Sequence, residues 1–208
     1  MAAREHQDAV ADVRRDQMLV AAAHLIAERG FSETRIADVA TRVGASPALV
    51  IYYFGTKDSL LTEALRWSER SFYASVEEML RQTPSLRARI ENLVESLLPK
   101  SQDVPDDWGL WFDLWAQAFR HPEVKKDRIE LDQRWRDTIA QVVRDGQAAG
   151  EIGRSVDADA FAITFSALLD GLSIQVALRD EKVGFERAFD IAMSYADNAL
   201  GLPAPATA

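Results

Sequence analysis

The stretch IADVATRVGASPALVIYYFGTKDSLL, residues 36–61, decides how this chain is read. Ile36, Val39, Ala40 and Val43 form one apolar stripe at helical spacing. Thr34 is the expected N-cap in front of it. Gly44 interrupts the pattern and predicts a tight turn at positive φ. Ser46 then predicts the cap of a second short helix, with Pro47 at its first position, where the missing N–H costs nothing. Leu49, Val50 and Tyr53 supply the inward side of that helix. Gly55-Thr56 ends it and starts a long helix at Lys57 that runs toward Leu80.

Two short helices joined by a glycine turn read as a helix-turn-helix, or equally as an αα-hairpin inside a helical bundle. In the first reading the second helix enters the DNA major groove and the first crosses the backbone. Pro47, Ala48 and Tyr52 would then face out, with the edges of Ser46 and Leu49. Ala48 and Leu49 suit apolar contact with a thymine methyl. Tyr52 and Tyr53 offer hydroxyls to phosphate. Lys57 offers a cation and a free backbone N–H, and Thr34 and Arg35 can do the same from the other side of the groove.

Upstream of this stretch, Met18, Ala22, Leu25 and Ile26 mark a helix over about residues 14–29, with Gly30 as its stop and Phe31 folding back on the last turn. Downstream, helical patterns recur at about 85–98, 106–120, 123–149, 157–179 and 184–200, punctuated by prolines and glycines. No alternating run of useful length exists, so no strand is expected. The fold class is all-α, with about nine helices. A helix-turn-helix domain spans 14–57, and the long fourth helix leads into a ligand-binding and dimerisation domain over 58–201. Residues 1–13 and 202–208 read as disordered tails.

Composition narrows the function classes. The chain is 208 residues long, 48% hydrophobic and 27% charged, with no cysteine, so disulfides and thiolate metal sites are excluded. The first residues lack the apolar region of a signal peptide, and no run approaches the ~18 apolar residues of a membrane span. A soluble cytoplasmic protein without a membrane partner is the expectation. A net charge of −9 argues against nucleic acid, but it is unevenly placed. Over residues 14–57 six basic residues (Arg14, Arg15, Arg29, Arg35, Arg42, Lys57) face four acidic ones (Asp16, Glu28, Glu33, Asp38). His6, His24 and His121 are too scattered for a metal site, no nucleophile–base pair stands out, and no Gly-rich phosphate loop occurs. No catalytic residue, metal or cofactor is therefore expected.

Residues 30–65 resemble the DNA-binding head of the tetracycline-repressor (TetR/AcrR) family. The resemblance rests on Gly30-Phe31, Thr34, Ile36, Val39-Ala40, Gly44, Ser46, Tyr53-Phe54 and Lys57 followed by an acid and Leu60. It implies phosphate or base contacts at Thr34, Arg35, Ser46, Ala48, Tyr52, Tyr53 and Lys57. The chain departs from the family where Leu49 replaces a frequent Thr, Ile51 a frequent Tyr and Pro47 a frequent Lys. The resemblance implies a sequence-specific DNA-binding transcriptional regulator, a repressor released from palindromic double-stranded operator DNA by a small-molecule effector. A helical small-molecule binding protein with no DNA role is the competing reading.

The last two helices carry wide apolar faces. Phe161, Phe165, Leu168 and Leu172, then Phe185, Phe189 and Met193, read either as one subunit's core or as a homodimer interface. The family resemblance implies a two-fold dimer through those helices, which would set two recognition helices about 34 Å apart. Between head and tail, Trp108, Trp111, Phe112, Trp115 and Phe119 crowd one helix, with Trp67 and Trp135 on its expected neighbours. Such density reads as core, or as an aromatic cavity with Asp113, Gln117, Arg120 and His121 as polar candidates. Indole faces plus a carboxylate suit a cationic or aromatic effector.

Overall fold

A computed structural model describes residues 2–99 and 106–202, with side chains described from Asp12 onward except those of 106–108 and Glu123. The described residues form nine α-helices and no strand: α1 (Ala2–Arg29), α2 (Ile36–Arg42), α3 (Pro47–Phe54), α4 (Lys57–Gln82), α5 (Leu86–Leu97), α6 (Asp106–Ala118), α7 (Pro122–Ala149), α8 (Ala158–Ala177) and α9 (Phe185–Leu200). The helices lie where the periodicity predicts them, within a few residues. The exception is α1, which begins at Ala2 and takes in most of the expected 1–13 tail. That segment is rich in Ala, Arg, Glu and Gln, all good helix formers. The expected 202–208 tail lies outside the described residues apart from Leu202.

The chain divides into two compact units. One gathers the chain up to Ser71 together with Asp106–Ile129, and the other holds the remainder. The boundary expected at residue 57 is therefore displaced. In the first unit, Met18, Leu25 and Ile26 of α1, Val39 of α2, Val50 and Phe54 of α3, and Leu60 and Leu65 of α4 bury one core. Leu110 and Leu114 of α6 and Val124 of α7 belong to the same core. Helix α6 lies along α1, with Gly109 close to the Ala27 carbonyl: a Cβ there would stand 3.4 Å from that oxygen. The i, i+4 pairs Val50/Phe54 and Leu110/Leu114 explain which face of each helix turns inward.

In the second unit, α5 packs against α8 and α9. Its core includes Ile90 and Val94 of α5, Trp135 and Ile139 of α7, Phe165 and Leu169 of α8, and Ala192 and Ala196 of α9. Arg87 donates to the Asp197 carboxylate at 2.7 Å and ties α5 to α9. Arg134 meets Glu77 through two 2.8 Å hydrogen bonds. This contact holds the Glu77 carboxyl below its ordinary range and raises Arg134 above its own, the mutual hydrogen bond being the main cause.

Helix α8 has a mean hydropathy of 1.5 over its best 18-residue window, enough in length and composition to cross a membrane. The sequence expectation of no such run is corrected here. The reason is apolar residues on two faces. Phe161, Phe165, Leu169 and Leu172 go into the core, while Ile163 is 59% exposed.

Candidate nucleic-acid interface and effector site

The turn between α2 and α3 forms as its residues dictate. Gly44 takes φ 62°. The Ser46 hydroxyl accepts the Leu49 N–H at 3.2 Å, and Pro47 occupies the first helical position. Val50 is fully buried, and this anchors the opposite face of α3 toward solvent. Ser46, Pro47, Ala48, Ile51 and Tyr52 are exposed, and Leu49 and Tyr53 are half-buried. Tyr52 is 82% exposed. Ile51 was given no role by the sequence reading. Its signal was the i, i+3 relation to Ala48, which places both on one helix face beside Tyr52.

Thr34 requires a correction. It is completely buried, and its hydroxyl donates to the Gly30 carbonyl at 2.9 Å. It neither caps α2 nor presents its side chain to a phosphate. Arg35 is the N-cap residue of α2, without a side-chain capping bond. The Gly30 turn at φ 86° brings its carbonyl within reach of Thr34, and this local bond outcompetes the cap.

The cations of the head are unequal. Arg42 pairs bidentately with Glu28, with hydrogen bonds of 2.7 and 3.0 Å that depress the Glu28 carboxyl and raise the Arg42 guanidinium. Arg15 pairs with Glu63, and Arg29 lies 3.6 Å from Asp38. Arg35 is exposed and makes no ion pair among the described residues. Lys57, at the start of α4, donates to the Ser32 carbonyl at 2.7 Å, which steers its ammonium to the α1–α2 turn and leaves further protons to give. Arg35 and Lys57 thus remain as charges available beside α3.

The same unit also holds an aromatic and charged cluster. Trp111 and Trp115 stand one turn apart on α6. The Arg128 guanidinium of α7 sits 5.8 Å from the Trp111 ring centre and 5.7 Å from that of Trp115. Arg128 also pairs with Glu69 of α4, which is 2% exposed. Leu65, Glu69, Leu110, Trp111 and Leu114 close around a gap too small to admit a water molecule. Between the two indoles, Asp113 turns to the head instead: its carboxylate accepts the Phe31 backbone N–H at 2.7 Å. Helix α6 therefore touches both the cation cluster and the α1–α2 turn.

Comparison with known proteins fixes the family. Residues 18–64 match the tetR family of bacterial regulatory proteins, and residues 86–201 match the C-terminal domain of BetI-type transcriptional repressors. The chain belongs to the TetR family. The HTH-type transcriptional regulator BetI of Burkholderia mallei is 27% identical over 190 residues, covering 91% of this chain and 94% of that protein. A transcriptional regulator from Saccharomonospora viridis, solved in complex with choline, is 32% identical with a TM-score of 0.78, over 88% of this chain and 95% of its own. A TetR-family regulator from Rhodococcus sp. is 29% identical with a TM-score of 0.75, over 90% and 98%. This TetR-family chain is a ligand-responsive, DNA-binding transcriptional repressor and not an enzyme.

Among the ligand residues expected for this TetR-family chain, Trp67, Trp111, Phe112, Asp113, Trp115 and Gln117 all lie in the first unit. Trp67 is half-buried against its core, and Phe112 meets Trp115 at 6.0 Å. Phe119 is corrected: just beyond the end of α6, its side chain is 92% exposed to solvent rather than packed beside the indoles. Trp135 packs into the core of the second unit with its ring 5.6 Å from Tyr73 and 6.3 Å from Phe72. The side chain of Trp108 lies outside the described residues. Glu69 and Arg128 were missed because each, taken alone, reads as a solvated charge on an amphipathic helix.

The expected dimer residues also divide. Phe161, Phe165, Leu172 and Met193 are buried inside the single chain and are corrected to core. Leu168, Phe185 and Phe189 are half-buried. The outward side of α8 carries Ile163, Ala167, Gly171 and Ile174 instead, with Leu178 at its C-cap, at spacings of three and four.

Proposed function

We propose that this repressor responds to a small quaternary ammonium effector of the choline type, held in the first unit between Trp111, Trp115 and Glu69. The observation that carries this reading is the pair of indole faces converging with a buried carboxylate on one cationic position. A quaternary ammonium gains attraction from indole faces with little loss of hydration, and the carboxylate neutralises it. The choline complex of the relative from Saccharomonospora viridis supports the same chemistry.

At the DNA end, Ala48, Ile51 and Tyr52 enter the major groove, with Ser46, Pro47 and the edge of Leu49 at its rim. Tyr53, Lys57 and Arg35 take phosphates. The repressor works in the cytoplasm as a homodimer through the outward side of α8, with Leu168, Phe185 and Phe189 at its margin. The operator is accordingly palindromic. Effector entry shifts α6, and the Asp113–Phe31 bond carries that shift to the head. A 100-fold loss of operator affinity requires about 2.7 kcal/mol of effector preference for the DNA-incompetent form.

Anisotropy of a labelled duplex from the promoter of the neighbouring operon tests this directly. Specific binding that weakens as choline chloride is added, against equal sodium chloride, is the expected result. Operator binding untouched by choline, betaine or tetramethylammonium would remove the effector assignment. No binding to any duplex at low salt would favour a small-molecule binding role without DNA.

A further inference from the structure

We infer that Arg128 is a built-in stand-in for the effector: its guanidinium holds the cation position, and a quaternary ammonium can bind only by displacing it. The inference rests on the effector class proposed above.

Three observations lead to it. First, Arg128 makes the contacts an organic cation would seek, with two indole rings within 6 Å of its Cζ and an ion pair to Glu69. Second, the position is taken out of water, since the Arg128 side chain is 10% exposed and that of Glu69 2%. One buried carboxylate can neutralise one cation, and a second buried positive charge beside it would be strongly unfavourable. Third, the gap between Leu65, Glu69, Leu110, Trp111 and Leu114 has no room for even a water molecule. Ligand pockets generally need roughly 300 Å³ or more. The site is thus closed while Arg128 occupies it, and it opens by the volume of that side chain when Arg128 leaves.

This arrangement makes effector binding a cation exchange. Arg128 leaves Glu69 and the indoles, and the effector replaces it on the same partners. The resident guanidinium competes with every incoming cation and so sets the concentration at which the repressor responds. Because Arg128 and Glu69 stand on α7 and α4 while the indoles stand on α6, the exchange also breaks the bridge among three helices of this unit. An ordinary binding-residue variant loses ligand. Removing Arg128 should do the opposite.

Calorimetric titration of full-length protein with choline chloride at constant ionic strength tests this. Arg128→Met keeps length and apolar bulk without charge, and it should bind choline at least tenfold more tightly than the parent. Arg128→Lys keeps the charge but loses the planar stack on the rings, and it should bind more tightly by a smaller factor. In the unaltered protein, peptide mapping after phenylglyoxal treatment should show Arg128 protected without choline and modified with it. If the unaltered protein binds choline while both variants bind equally or more weakly and Arg128 stays protected, the stand-in role is wrong and the effector class survives. If neither the parent nor the variants bind choline or tetramethylammonium, the effector class fails and the stand-in role falls with it.

Discussion

Replacing Asp113 by Ala should separate ligand binding from DNA release. Asp113 lies on α6 between Trp111 and Trp115, yet its carboxylate reaches the Phe31 amide at 2.7 Å rather than the cation cluster. Phe31 is 9% exposed and follows Gly30 at the turn from α1 into the helix-turn-helix. A hydrogen bond to a charged group contributes about 1.5–3 kcal/mol, and the loss leaves the Phe31 amide without this acceptor. At roughly 2–4 °C per kcal/mol for a chain of this size, thermal unfolding should fall by about 3–12 °C. The larger consequence is for coupling. If the bond transmits the motion of α6, removing it takes away a large share of the ~2.7 kcal/mol that a 100-fold response needs. Choline should then weaken operator binding by about tenfold or less, with choline affinity itself close to that of the parent. Asp113→Asn keeps an uncharged acceptor and should fall between. The assay is operator anisotropy with and without choline, beside calorimetric choline binding and a melting curve. An Asp113→Ala protein with the parent melting temperature and the parent choline response would refute the tether.

Four other outcomes follow from the geometry. Lys57→Ala removes a phosphate partner and the bond to the Ser32 carbonyl, and it should weaken all duplexes alike while reducing the slope of log affinity against log salt by about one. Ala48→Phe places bulk on the exposed face of α3 and should abolish operator preference, with far-UV circular dichroism and melting unchanged. Ile163→Glu puts a charge on the 59% exposed outward face of α8 and should yield a folded monomer by sedimentation with operator affinity strongly reduced. Because Arg134 holds Glu77 below its ordinary 4.5, the pair's contribution is complete above that pH and fades as pH drops through the lowered value. Both side chains are about two-fifths exposed, so Glu77→Gln should remove no more than ~1 kcal/mol near neutral pH, with the difference from the parent vanishing in acid.

Much of the fold was legible because the signals were local. Gly44, Ser46 and Pro47 each act on their own backbone, so the α2–turn–α3 geometry follows from three adjacent residues. Thr34 shows the limit of that logic. A threonine before an apolar stripe can cap the helix or bond back to a carbonyl four residues earlier, and only the path of the Gly30 turn decides between them. The domain boundary was illegible for a different reason. That α6 joins the head depends on Leu110 and Leu114 entering a core some ninety residues upstream in part. No local pattern encodes such a partner. Apolar periodicity likewise reports that α8 is buried on several sides but not by what, so Phe165 and Ile163 look alike in sequence and differ by 59 percentage points in exposure.

The proposed effector site illustrates why aromatic density alone is ambiguous. Five aromatic residues on and just beyond α6 are compatible with a packed core, and Phe119 in solvent shows that several need no common purpose. What turns Trp111 and Trp115 into a cation site is the charge brought to them from outside their helix. Glu69 lies 42 residues before Trp111 and Arg128 17 residues after it, each on an otherwise polar stretch. A buried ion pair contributes little net stability against a well-packed apolar alternative. Burying Glu69 and Arg128 beneath two indoles is therefore poorly explained as a stabilising device. The proposed exchange explains it as a site that holds one positive charge at all times, the protein's own when the effector is absent and the effector's when it is present.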